Sequence, residues 1–245
     1  MNGKRFLSFF ALTLALSLST PHGARAGGPA APTTGATVRG IVRFDGKAPV
    51  AKPISMAADP VCAKQHATPV MTQEIMADSK GDLQNVIVFV SEGLGDRTFD
   101  PPSQPAVVEQ KGCMYTPHVM AVRANQPLQV VNQDATSHNI HPQPANNREC
   151  NKAEPPGSKM EETFAREEIA IPVKCNLHPW MKSYIAVFKH PYFAVTGKDG
   201  SFDLSNLPPG TYTIKAWHEK LGTSTQTVTI AGNETKEINF VFKGM

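Results

Sequence analysis

Apolar and polar positions alternate along this chain in short runs separated by turn residues. Residues 37–44 place Val38, Ile41, Val42 and Phe44 in such a run, and Asp45-Gly46 ends it with a turn signal, which predicts a strand and a bend. The run Leu-Gln-Asn-Val-Ile-Val-Phe-Val at 83–90 is nearly continuous in β-branched and aromatic residues, as suits a central strand. Between these two, residues 50–80 keep no sustained period and read as irregular, with room for a short helix near Cys62. Strands are predicted at 107–108, 118–122, 128–132, 137–141, 169–173 and 183–188, while the Pro- and Asn-rich stretch 142–159 reads as a long surface loop. The last segment alternates from Tyr192 to His218, turns at Asp199-Gly200 and Pro208-Pro209-Gly210, and adds runs at 225–230 and 236–242, reading as an antiparallel sheet of its own. No helical period appears after residue 105, so the fold class is all-β, built of two modules.

The N-terminus changes the picture of where the chain works. Lys4 and Arg5, an apolar run at 6–18 and Ala24-Arg25-Ala26 form a secretory signal with a cleavage site after Ala26, and the small-residue, proline-rich stretch that follows reads as a mobile leader up to residue 36. The apolar run is short for a membrane span and no second long one follows, so a soluble periplasmic or secreted protein is expected. Cleavage removes three cations and no acid, leaving 24 basic against 21 acidic residues at 21 against 21. A neutral chain without a basic run argues against nucleic acid or an anionic membrane as partner.

The candidate chemistry is concentrated in Cys175-Asn-Leu-His178-Pro-Trp-Met181. A thiolate, an imidazole and a thioether in one tight loop are the ligand types that suit copper in both oxidation states, and a second imidazole would complete a trigonal site with a weak axial sulfur. His138, at the end of an apolar strand and polar turn, is the candidate for that second imidazole; His141 could take its place, but residues three apart on a strand face opposite sides, so only one of the two is expected to reach the metal. Asn139 is expected to link the two ligand segments, Pro179 and Trp180 to stiffen the loop, and the edge of His178 to be the electron exit. If Cys175 binds metal, Cys62, Cys113 and Cys150 remain; pairing Cys62 with Cys113 and leaving Cys150 free is favoured, although a Cys150 to Cys175 disulfide stays open. Cys113 and His118 also have metal-ligand spacing, but one disulfide is the commoner use of such a cysteine. Met181 on the bland reading is a core filler, and His190, Trp217 and His218 are expected to be buried against a neighbouring module rather than to stack on a sugar. No nucleophile triad, carboxylate pair or phosphate loop points to hydrolysis or nucleotide chemistry.

On these residues, 105–189 resembles a cupredoxin, the loop being most similar to the short copper loop of amicyanin, with His138 at the position of the first histidine and Cys175, His178 and Met181 at the other ligand positions. The motifs Asp199-Gly-Ser-Phe, Leu207-Pro-Pro-Gly-Thr-Tyr-Thr-Ile and Ala216-Trp-His-Glu resemble the prealbumin-like carboxypeptidase regulatory domain, a carbohydrate-binding-like fold. The chain as a whole is similar to exported proteins labelled as methylamine-utilisation or plastocyanin-like. The resemblance implies a cupredoxin Greek-key sandwich at 106–189 inserted in a discontinuous prealbumin-like β-sandwich, 37–105 with 190–243, and a Cys62 to Cys113 bridge tying host to insert. It implies one type 1 copper ion held by His138, Cys175, His178 and Met181, and single-electron exchange with periplasmic redox proteins. Four filled ligand positions leave none for a substrate, so no enzyme is expected. The alternative is a binding module whose cupredoxin part is structural or handles copper without turnover.

Overall fold

In the computed structural model of the protein, residues 35–244 are described. The expected signal peptide and nearly all of the leader lie outside them. β1 (Ala36–Asp45), a single-turn helix α1 (Pro60–Lys64) and β2 (Ile87–Glu92) come first. They are followed by β3 (Ala106–Lys111), β4 (Met114–Thr116), β5 (Val119–Arg123), β6 (Leu128–Asn132), β7 (His138–Pro142), β8 (Lys152–Glu154), β9 (Lys159–Glu162), β10 (Glu168–Lys174) and β11 (Lys182–Phe188). β12 (Phe193–Val195), β13 (Ser201–Leu207), β14 (Gly210–His218), β15 (Gly222–Ile230), β16 (Thr235–Glu237) and β17 (Phe240–Lys243) complete the described chain. The fold is all-β, and no described helix is long and apolar enough to cross a membrane.

The strands sort into two pairs of sheets. β3 to β11 pair only among themselves, in the orders β4-β3-β6-β9 and β5-β11-β10-β7-β8, and enclose a core that includes Val108, Leu128, Val130, Ile140, Ile171 and Ile185. The others form β13-β1-β16, with β17 also on β1, and β12-β2-β14-β15, around Val38, Val42, Phe202, Ile214 and Phe240. A third apolar layer, Ile87, Phe89, Val119, Ala186 and Phe188, lies where the two pairs meet.

That layer explains two continuous apolar runs. Successive strand residues point to opposite faces, so β2 sends Val88 and Val90 into its own sandwich and Ile87 and Phe89 into the junction. β11 does the same, with Ile185 and Val187 on one side and Ala186 and Phe188 on the other. Trp217 and Tyr184 pack on the same junction, with ring centroids 5.5 Å apart.

Three expectations are corrected. The run at 83–90 is strand only from Ile87, because Asn85 sits at φ 65° and breaks the extended backbone. The stretch 142–159 is not one loop: it holds β8, paired with β7, and the start of β9, paired with β6. The terminal run does not make a sheet by itself. β13 pairs antiparallel with β1, while β16 and β17 pair with β1 in parallel, and β12 and β14 flank β2.

Candidate metal centre

Residues 175–181 connect β10 to β11, whose last and first residues, Lys174 and Lys182, are cross-strand partners. The loop is closed by its own backbone: Met181 N–H donates to His178 O (2.9 Å) and Cys175 N–H to Met181 O (3.3 Å). Cys175 and Met181 are thereby turned into the apolar core of this half of the molecule, where Met181 is fully buried. His138 opens β7, which pairs with β10 beside the loop.

The fold brings three of the four candidate ligands together directly. One ligand atom from each of His138, Cys175 and His178 lies within 4.8 Å of the others, and all three residues are buried. His138 Nδ1 is 2.9 Å from His178 Nδ1, and Cys175 Sγ is 3.7 Å from His178 Nδ1. Asn139 joins the two segments: its Oδ1 accepts from Asn176 N–H (2.6 Å) and faces Cys175 Sγ at 3.3 Å. Tyr115, also buried, donates from its hydroxyl to Asn139 O (2.5 Å), with Lys174 O at 3.1 Å, so it spans the residues next to both His138 and Cys175. Burial, reinforced by the neighbouring Cys175, raises its phenol well above the ordinary range and keeps it a donor.

Each imidazole is fixed from behind by a carboxylate. His138 Nε2 is 2.8 Å from Asp134 Oδ2, and His178 Nε2 is 3.0 Å from Asp59 Oδ2. An ionised carboxylate only accepts, so each Nε2 carries the proton and each Nδ1 presents a lone pair to the same point. Burial depresses the His138 pKa although Asp134 opposes the shift, which disfavours an extra proton between the rings. Two lone pairs and a sulfur converging in an apolar pocket suit a soft or borderline cation, so this donor set fits copper.

The carboxylates are held as firmly as the rings. Asp134 accepts from Gly112 N–H and Cys113 N–H, both at 2.7 Å, in the two-residue turn between β3 and β4. Both turn residues have positive φ, 63° and 54°, the geometry of a type I′ hairpin; a Cβ at Gly112 would come within 2.8 Å of the His66 ring. Asp59 caps α1, its Oδ1 accepting from Val61 N–H (2.8 Å), and its Oδ2 also accepts from Thr136 Oγ1 (3.1 Å). The bond to His178 outweighs burial and holds the Asp59 carboxyl down at about 2. A Cys62–Cys113 disulfide and a 2.8 Å contact from His66 Nε2 to Gly112 O bind the segment carrying Asp59 to that same turn. Trp180 Nε1 donates to Cys113 O (3.0 Å), and its ring lies 5.1 Å from that of His178.

One expectation about the site changes. The edge of His178 is not an open exit: the residue is 4 % exposed, and Asp59 and the Cys62 sulfur, 3.6 Å from Nε2, cover it. Its neighbour Leu177 is the exposed apolar side chain there, at 58 %. Cys113 and His118 do not share a metal, since Cys113 is in the disulfide and His118 Nε2 contacts Glu219 at 2.5 Å. Cys150 and Cys175 are free thiols, and His141 turns to Asn176 and Glu149. Sequence reasoning missed Asp59, Asp134 and Tyr115. Asp-Pro at 59–60 is a visible helix-start signal, but nothing near it points to a histidine 119 positions away.

Among solved structures, the chain is similar to a copper-containing nitrite reductase from Thermus scotoductus (19 % identity, 40 % of this chain and 25 % of that one, TM-score 0.33), so it spans a quarter of that protein's length. It is also similar to a purple cupredoxin from Nitrosopumilus maritimus (20 % identity, 34 % and 98 %, TM-score 0.29) and to a copper(I) amicyanin variant (17 % identity, 41 % and 97 %, TM-score 0.31). No curated protein matches the chain. Residues 184–243, from within β11 to the end of β17, match the family of the carboxypeptidase regulatory-like domain.

Proposed function

We propose that this protein is an exported type 1 copper electron carrier, not an enzyme, with His138, Cys175, His178 and Met181 as ligands. The observation that carries the reading is the convergence of two imidazole Nδ1 atoms and one free thiol in a buried pocket, each ring locked from behind by a carboxylate. Bound copper would supply a one-electron couple. The residues supply what fast exchange requires: β7, the 175–181 loop, Asn139 and Tyr115 hold the donors in one arrangement, and burial excludes water and substrate alike. Met181, buried in the same apolar cluster as Cys175, would supply the fourth, weaker sulfur donor. We further propose that 37–105 with 190–243 is one discontinuous module hosting 106–189, as the strand pairings of β1 and β2 favour, and that the partners are periplasmic redox proteins.

The test is the visible and electron paramagnetic resonance spectrum of the mature protein after one equivalent of Cu(II). An intense thiolate-to-copper band with narrow hyperfine splitting, bleached by ascorbate and lost in Cys175→Ser, is expected. A colourless protein refutes the carrier and leaves the binding-module reading.

A further inference from the structure

The cover over His178 comes from far away in the chain and is chemically specific. Residues 56–66 lie across the loop 175–181, pinned by the disulfide to Cys113 and by His66 to Gly112. What they put against the outward nitrogen of His178 is the charged oxygen of Asp59 at 3.0 Å, with a disulfide sulfur at 3.6 Å. The two carboxylate oxygens divide their work. Oδ1 caps α1 through Val61 N–H and Cys62 N–H, whereas Oδ2 faces His178 and Thr136. A helix cap alone needs only the first oxygen, and Asn serves there as well as Asp.

We propose that Asp59 is a positioning residue that sets the reduction potential of the centre through His178. This deepens the copper-carrier reading and rests on it. A carboxylate accepting the Nε2 proton makes the imidazole a stronger donor at Nδ1. Its negative charge, 3.0 Å from the outer nitrogen of a buried ring, favours the more highly charged metal although Asp59 itself is partly open to water. Both effects stabilise the oxidised state relative to the reduced one. Asp134 does the same for His138 from inside the sandwich, so the centre carries a matched pair of anions behind its imidazoles, one belonging to each segment that brackets the site. Because Asp59 arrives on the disulfide-bound segment, the potential depends on whether that segment is docked.

The experiment is Asp59→Asn in the mature, copper-loaded protein. Asn keeps the cap and the shape and removes the charge. The expected result is an unchanged thiolate-to-copper band with the equilibrium shifted at least tenfold toward the reduced form, 59 mV or more upward. A second readout is the His178 Nε2 proton in the reduced, diamagnetic wild type, which should exchange slowly with solvent and move upfield in the variant. A blue wild type whose potential moves less than twofold in the variant, or whose His178 Nε2 proton exchanges freely, overturns the role of Asp59 alone. A colourless wild type overturns the carrier reading and this assignment with it.

Discussion

Reducing the Cys62–Cys113 disulfide, without changing an atom of the rest of the chain, is the sharpest perturbation of the segment that covers His178. The bridge closes a loop with a sequence separation of 51. In the chain-entropy description, that loop costs the unfolded ensemble enough freedom to make the bridge worth about 4 kcal/mol. Cys150 and Cys175 are free thiols in both samples, so they cancel. Urea unfolding of the metal-free protein, with and without a phosphine reductant, measures the difference. With a slope of roughly 2–3 kcal/mol per molar urea, the midpoint should fall by about 1.3–2 M. The reduced segment keeps its contacts from Asp59 to Thr136 and His178 and from His66 to Gly112, so part of it should stay docked below the transition. Midpoints that agree within about 0.3 M would mean that the bridge constrains nothing the unfolded chain was free to explore, and would refute the reasoning.

Tyr115→Phe removes a buried hydroxyl and leaves Asn139 O and Lys174 O short of a donor; a loss of about 1–3 kcal/mol is expected in urea, and none would show that those carbonyls are otherwise satisfied. His190 and His218 are both buried, and burial pushes each down to about 4 from an ordinary 6.5. Below pH 6.5 the unfolded chain takes up protons that the native state refuses, so stability should decline from pH 6.5 to about 4, by up to roughly 3 kcal/mol for each ring, and level off below. The double variant His190→Asn with His218→Asn should flatten that slope in unfolding titrations; an equal slope would place its origin elsewhere.

The sequence was most legible where a period or a ligand type leaves few options. β6 falls where alternation put it, and Cys175, His178 and His138, singled out by ligand type, lie together. It was least legible where a residue's role depends on a distant partner. β8 and β9 are short and polar and become strands only because β7 and β6 offer them edges. Cys113 at φ 54° carries none of the Asn-Gly or Asp-Gly signature of a type I′ turn, yet its turn anchors Asp134, Trp180 and the disulfide. The exposure of His178 was misjudged for the same reason. Loop residues near a metal are ordinarily open to solvent, and the cover comes from a stretch whose own pattern reads as irregular.

The parallel pairing of β1 with β16 and β17 imposes an order on assembly. Ile41 N–H waits for Asn239 Oδ1, a partner 198 positions later. Val42, Arg43 and Phe44 likewise have no neighbour on that side until 240–242 have been made. All the strand partners of 106–188, by contrast, lie within that stretch. As the chain emerges, the half that holds Cys175 and His138 can therefore close first. β1 stays an unpaired apolar edge until the final strand arrives, which makes it the slow and aggregation-prone part of folding. The residues that would bind the metal are in place while β1 still waits for its last neighbours.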